Sequence, residues 1–297
     1  MKYAVGIDIG GTNTRIALVD ENYTITKRVE FPTEKADPSV MLDSIGKAIY
    51  DFGHDIVGVG LSCAGPMDLI NGKIGMAVNL GENWFHYPIV AEMEKRYGVS
   101  VYLENDANLA CLAEATVGKG KSYRFVHFLT ISTGIGSGYV VDKQIIQGAH
   151  GQANEVCNMI MWKDGPKHSI LASGALEAIS SGTAITNRAR ALGLEVAHAG
   201  EVNDLAVAGN AIAKEIMDDA KEYLANAIAM IFAVEDPDIF ILGGSVSLKI
   251  EGFTKEVEAL VKAKVLPGFD QYIKIETSNL NEDSGLLGAA ALAFLKA

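Results

Sequence analysis

Asp106 offers the most chemistry in this chain. It stands in Leu103-Glu104-Asn105-Asp106-Ala107-Asn108, where an apolar, β-branched run (Val99, Val101, Leu103) gives way to a helical one from Ala107 to Val117. A carboxylate at a strand-to-helix junction points out of the sheet beside the unpaired N–H groups of the first helical turn. There it stays ionised and faces the crevice where open α/β sheets bind ligands. The plainer reading makes Asp106 a helix N-cap, a position that favours Asp. Three glycine turns follow β-type runs: Gly10-Gly11-Thr12, Gly134-Ile135-Gly136-Ser137-Gly138 and Gly243-Gly244. Glycine tolerates positive φ and lets backbone N–H groups approach phosphate oxygens closely. Thr12 and Thr133 add hydroxyl donors, and Asp8 is placed to hold a Mg²⁺-bound water near such phosphates. Any one turn alone reads more simply as a hairpin or strand end. None is a Walker P-loop, and the second lacks dinucleotide-loop spacing.

The elements that must carry these residues alternate between strand and helix patterns. Tyr3–Ile9 and Thr14–Asp20 read as a hairpin around the first glycine turn, with Thr24–Phe31 a weaker third strand. A helix is expected over Val40–Phe52, a buried strand over Ile56–Cys63 ending in the breaker Ala64-Gly65-Pro66, irregular chain over 66–85, and a helix over Tyr87–Tyr97. Phe125–Ile131 and Ser137–Val141 pair around the second glycine turn. This repeats the organisation of residues 3–20 about a hundred residues later. Further on, residues 143–172 read as loop-rich. Helices follow over Ala175–Ser180, Gly182–Ala191 and one long stretch near Asp204–Val234. A strand at Asp238–Leu242, a helix at Thr254–Lys264, a strand at Tyr272–Glu276 and a helix at Ser284–Leu295 complete the chain. The fold class is therefore α/β with a duplicated domain.

Composition narrows the function. The 297 residues are 49% hydrophobic and 21% charged, ordinary for a globular protein. Net charge is −12 and the pI near 5.0, without a Lys/Arg-rich patch, which argues against nucleic acid or an anionic membrane as partner. Apolar runs are too short to span a bilayer, and no signal pattern appears at Met1, so the chain reads as cytoplasmic. Cys63, Cys111 and Cys157 are widely spaced and odd in number, which implies no disulfide framework.

Taken in order, the motifs become specific. Gly6-Ile7-Asp8-Ile9-Gly10-Gly11-Thr12-Asn13, Leu103 to Asn108, Ser132-Thr133-Gly134-Ile135-Gly136, Gly148-Ala149-His150-Gly151 with Glu155, and Leu242-Gly243-Gly244 together resemble the ROK family of repressors and sugar kinases. The resemblance spans nearly the whole chain. It implies the two-lobed actin/sugar-kinase/chaperone ATPase (ribonuclease H-like) fold. One lobe is expected at 1–118 plus 284–297 and the other at 119–283, with a ligand cleft between them. It further implies an ATP- and Mg²⁺-dependent kinase acting on the 6-hydroxyl of a hexose, in a homodimer. Asp8, Gly10, Gly11 and Thr12 would meet the phosphates and Mg²⁺; Thr133, Gly134 and Gly136 would form the second phosphate loop; Gly243 and Gly244 would border the adenosine. Asp106 would be the general base, with Asn105, Glu155 and Glu177 on ring hydroxyls and Gly65 beside the sugar. One oriented carboxylate with a phosphate cradle suits phosphoryl transfer, which needs alignment and charge neutralisation.

The chain departs from the family at one place. Many members carry a His and three Cys that hold a structural Zn²⁺. Here Asn158 stands at the His position, on the sugar side of the site, and Ala175 where the last Cys would be, so no structural zinc is expected. Glucose is the first substrate expected, with N-acetylmannosamine, N-acetylglucosamine or a β-glucoside as alternatives. A sugar-responsive regulator without turnover is the reading from a different class. Family repressors carry a winged helix-turn-helix ahead of the first glycine motif, and Gly6 leaves no room for one.

Overall fold

The β-branched residues near the N-terminus form three antiparallel strands, β1 (Tyr3–Ile9), β2 (Asn13–Asp20) and β3 (Ile25–Pro32). Two more strands add in parallel beside β1, first β4 (Val59–Cys63) and then β7 (Val101–Asn105), giving the order β3-β2-β1-β4-β7. Helix α1 (Pro38–Phe52) starts at Asp37, whose side chain accepts the Ser39 N–H at 2.8 Å, and ends at Gly53 in the left-handed conformation. Helix α2 (Ile89–Tyr97) and the short strands β5 (Met67–Asp68) and β6 (Lys73–Ile74) follow. Residues 66–85, read as irregular, thus contain a small hairpin.

The computed structural model describes residues 1–63, 65–280 and 283–297; Ala64, part of the expected breaker, lies outside them. Two units make up the chain. One is Met1–Lys121 with Lys143–Ala153 and Glu282–Ala297; the other is Ser122–Asp142 with Asn154–Asn281. Lys143–Ala153, which carries the two-residue β10 (Gln144–Ile145), groups with the first unit. There Lys143 Nζ donates to the carbonyls of Ala115 and Lys121, and Gln147 Nε2 to the carboxylate of Glu104. These bonds tie the segment to the first unit.

Both faces of the first sheet are covered, so β1 and β4 read as continuous apolar runs. Val5, Ile7, Val59 and Leu61 pack with Met41, Leu42 and Ile45 of α1 and Met93 of α2. The opposite face meets α10 (Ser284–Lys296), a helix of small residues that also packs on α3 (Asp106–Thr116). The approach there is close enough to require glycine. A Cβ on Gly60 would lie 1.8 Å from the Ala289 carbonyl oxygen, and one on Gly288 would lie 1.9 Å from that of Leu109.

The second unit repeats the plan. Strands β8 (Phe125–Ile131) and β9 (Ile135–Val141) form the hairpin; β11 (Ile239–Gly243) and β12 (Ile275–Thr277) add in parallel beside β8. The order β9-β8-β11-β12 matches β2-β1-β4-β7. Its core joins Leu129, Phe240 and Leu242 to Leu224 and Ile228 of α7 (Ala211–Glu235) and Val257 of α9 (Phe253–Lys262). Helices α4 (Leu176–Ser180), α5 (Gly182–Ala191), α6 (Ala199–Val207) and α8 (Gly244–Lys249) complete it. The long helix expected near 204–234 is two helices. Gly209 at φ +94° ends the first segment, and the Asn210 side chain caps α7 by accepting the Ala213 N–H at 3.0 Å. The strand expected at Tyr272–Glu276 shrinks to β12, preceded by a 3₁₀ turn at Asp270–Tyr272.

Candidate active site

In the first unit, parallel register places the chemistry. Asp8, Ser62 and Glu104 share one row across β1, β4 and β7; Ile9, Cys63 and Asn105 share the next. Three strand ends therefore deliver Asp8, Cys63 and the Asn105-Asp106 pair to the carboxyl edge of the sheet, where such sheets bind ligands. Burial pushes the Asp8 carboxyl upward. Arg15, whose Nη2 lies 3.4 Å from Asp8 Oδ2, pulls it partly back. The Ser62 hydroxyl draws it down further, although its geometry falls short of a hydrogen bond and its buried Oγ has no such partner. An under-compensated carboxylate at this edge fits a hydrated cation. The Cys63 thiol is pushed up to about 12, first by burial and then by the charges of Asp8 and Asp106. Cys63 is a packing residue, not a nucleophile.

The N-cap of α3 is Asn105, not Asp106. Asn105 has extended backbone (φ −65°, ψ 144°), and its Oδ1 accepts the N–H of Ala107 at 2.8 Å and of Asn108 at 3.3 Å. Asp106 is the first helical residue, exposed, with Oδ1 taking the Ala107 N–H at 2.8 Å. Asn105 keeps its Nδ2 amide for a hydroxyl acceptor. Below them Glu104, 1% exposed, accepts the Asn105 N–H at 2.8 Å, Asn108 Nδ2 at 2.9 Å and Gln147 Nε2. Three donors satisfy that buried carboxylate and fix the strand end that presents Asp106. Glu104 lies within the motif, but nothing in the sequence gives it this bracing role.

Gly10 and Gly11 form the β1–β2 turn, closed by Gly10 N–H donating to Asn13 O at 3.0 Å. The Thr12 carbonyl accepts the Thr33 N–H at 2.8 Å. Gly65 sits at φ +112°, open to few residues but glycine.

The second unit holds the other expected residues. Ser132 and Thr133, at the β8–β9 turn, line a cleft of about 1240 Å³ with Thr183, Asn187 and Arg190 of α5 and Lys249 of α8. Gly134 and Gly136 shape that turn, and a Cβ on Gly134 would lie 2.5 Å from Glu177 Oε2. Gly243 and Gly244 are fixed by packing: added Cβ atoms would lie 2.7 Å from the Phe128 ring and 2.4 Å from the Ile131 carbonyl oxygen. The adjacent Ser245 and Val246 reach the cleft instead. The α5 side chains escaped the sequence reading because a polar face of a helix looks the same whether it lines a cleft or meets water.

Glu177 Oε2 accepts the Ile135 N–H at 2.7 Å, and its Oε1 lies 3.9 Å from His168 Nε2. Glu155 is exposed, and Cys157 Sγ lies 3.6 Å from Glu155 Oε2. Burial first, then Glu155 and Glu177, pushes the Cys157 thiol up to about 12. Glu155, Cys157, Glu177 and His168 thus form one cluster. Asn158 Oδ1 accepts the Ala172 N–H at 3.1 Å and ties the two ends of the 158–172 loop together.

The ROK family model, described as "ROK family", matches residues 4–295. The chain belongs to the ROK family. Among ROK relatives it is 31% identical to a glucokinase of Thermotoga maritima, over 97% of this chain and 96% of that protein. It is 29% identical to an N-acetylmannosamine kinase of Salmonella heidelberg, over 97% of each. The solved ROK family glucokinase of Streptomyces griseus, in complex with glucose and AMPPNP, superposes with a TM-score of 0.76 at 26% identity, covering 99% of both chains. The duplicated α/β architecture of this chain is accordingly that of the actin-like sugar-kinase ATPase fold.

Proposed function

We propose that this ROK protein phosphorylates the 6-hydroxyl of a hexose with ATP, glucose being the first substrate expected. The observation that carries the reading is at the start of α3. Asn105 takes the cap, and Asp106, the first helical residue, presents an exposed carboxylate one position further on as the base. The sugar oxygen attacks the γ-phosphorus, its proton passes to Asp106, and the bond to the departing ADP breaks. Asn105, Glu155 and Glu177, with Asn158 nearby, hold ring hydroxyls, and Gly65 leaves room beside the sugar. The second unit's cleft takes the nucleotide, with Thr133, Gly134 and Gly136 at its phosphates. In the first unit, Gly10, Gly11 and Thr12 are the phosphate-binding residues. Mg²⁺ supplies charge neutralisation on the phosphates when bound, and Asp8 would hold it through a water.

A cytoplasmic homodimer completes the proposal; among the described residues no helix is long and apolar enough to cross a membrane. Light scattering on the purified protein tests the dimer. N-acetylmannosamine is the second substrate reading, favoured by the 29%-identical relative of that name. The deciding experiment is a coupled ADP-release assay with MgATP across glucose, mannose, the two N-acetylhexosamines and a β-glucoside. One sugar far above the rest in kcat/KM supports the kinase and names its substrate. No turnover with any of them, from folded protein that binds ATP, replaces the kinase with a non-catalytic sugar-responsive regulator.

A further inference from the structure

We infer that His168 is a specificity-determining residue that binds one sugar hydroxyl jointly with Glu177. The inference rests on the placement of the sugar at Glu155 and Glu177 proposed above. His168 Nε2 and Glu177 Oε1 are 3.9 Å apart, beyond a direct hydrogen bond. Two hydrogen bonds of about 2.8 Å across that gap meet at a bridging oxygen with an angle near ~90°. A single hydroxyl fits: it accepts from Nε2–H and donates to the carboxylate, using both of its capacities. Their side chains are 28% and 18% exposed, so the pair is reachable yet partly desolvated.

Both partners are held in place before any ligand arrives. Glu177 lies in the first turn of α4, and its other oxygen is pinned by the Ile135 N–H at 2.7 Å. His168 rides on the loop that Asn158 closes through Ala172, and its own carbonyl accepts the Leu171 N–H at 3.1 Å. The loop that carries His168 to Glu177 is thus set by side-chain and backbone hydrogen bonds. Because Glu177 also touches the second glycine turn, the hydroxyl held here is registered against the phosphate loop of the same unit.

The test is a cycle that removes the protein group and the sugar hydroxyl separately and together. kcat/KM is measured for wild type, His168→Ala and His168→Gln with the best sugar and each of its monodeoxy analogues. His168→Ala is expected to lower kcat/KM for the parent sugar roughly ten- to hundred-fold, the range of a hydrogen bond in a charged pair. KM for MgATP should stay within about twofold. For one deoxy sugar alone, that loss should vanish, since the partner hydroxyl is already gone. His168→Gln, which retains a donor, should recover part of the activity. A loss of equal size on every deoxy analogue, or below about twofold on the parent sugar, overturns the inference and leaves at most a water in the gap. If wild type turns over no sugar, the kinase reading fails separately, and calorimetric sugar binding takes the place of kcat/KM. An unchanged dissociation constant in His168→Ala, or no binding by wild type, then overturns the assignment.

Discussion

Replacing Asp106 by Asn should separate catalysis from folding, and the local geometry gives the size of each effect. The helix cap is Asn105, whose Oδ1 holds two N–H groups, so it survives the change. Asp106 Oδ1 takes the Ala107 N–H at 2.8 Å, and the amide oxygen of Asn can do the same. What is lost is one negative charge beside the helix N-terminus, about 0.3–1 kcal/mol. For a chain of this size that lowers Tm by only a few degrees, on the order of 1–3 °C. The proton acceptor is lost entirely, and kcat should fall about 10²–10⁴-fold while sugar binding persists. Asn105→Ala provides the contrast: losing the cap costs about 1–2 kcal/mol, a larger drop in Tm than Asp106→Asn gives. Differential scanning calorimetry, ADP release and calorimetric sugar titration on both variants read all three quantities. Near wild-type kcat in Asp106→Asn would refute the base assignment. A larger loss of Tm in Asp106→Asn than in Asn105→Ala would refute the capping argument.

Three other outcomes are expected. Gly60→Ala places a Cβ where the Ala289 carbonyl oxygen sits 1.8 Å away, forcing α10 off the first sheet; a loss of about 3 kcal/mol or more, read by denaturant unfolding, is expected, and a neutral result would contradict the packing. Cys63 titrates near 9 when unfolded and is pushed up to about 12 when folded, so folding favours the protonated thiol. Its contribution is complete below pH 9 and is lost as pH rises further. Stability should fall by about 1 kcal/mol between pH 9 and 10 in excess of Cys63→Ala, before the raised Tyr97 hydroxyl joins in; equal slopes in the two proteins would contradict this. Asn158→Ala frees the Ala172 N–H at a cost of about 0.5–1.5 kcal/mol and should speed proteolytic cleavage within 159–171, whereas Asn158→Asp, which keeps the acceptor, should not.

Much of this protein was legible in its sequence because local chemistry dictates local form. Apolar alternation gave β1 and β2, Gly10-Gly11 their turn, and the switch of periodicity after Leu103 the start of α3 within one residue. The repeated hairpin signalled duplication, which the matching strand orders of the two sheets display. Boundaries set by distant partners were not legible. Lys143–Ala153 reads as plain loop, yet Gln147 within it meets Glu104, 43 positions earlier in the chain. Whether Asn105 or Asp106 caps α3 is decided by backbone angles that both residue types tolerate. The motif resemblance implies sugar contacts for Glu155 and Glu177, but composition cannot say that Glu177 braces Ile135 or that His168 stands 3.9 Å away. Residue type and spacing determined the elements, the turns and the inventory of groups able to do the chemistry. Only the tertiary structure decided which of those groups meet, because contacts between residues far apart in the chain leave no periodic trace in the sequence.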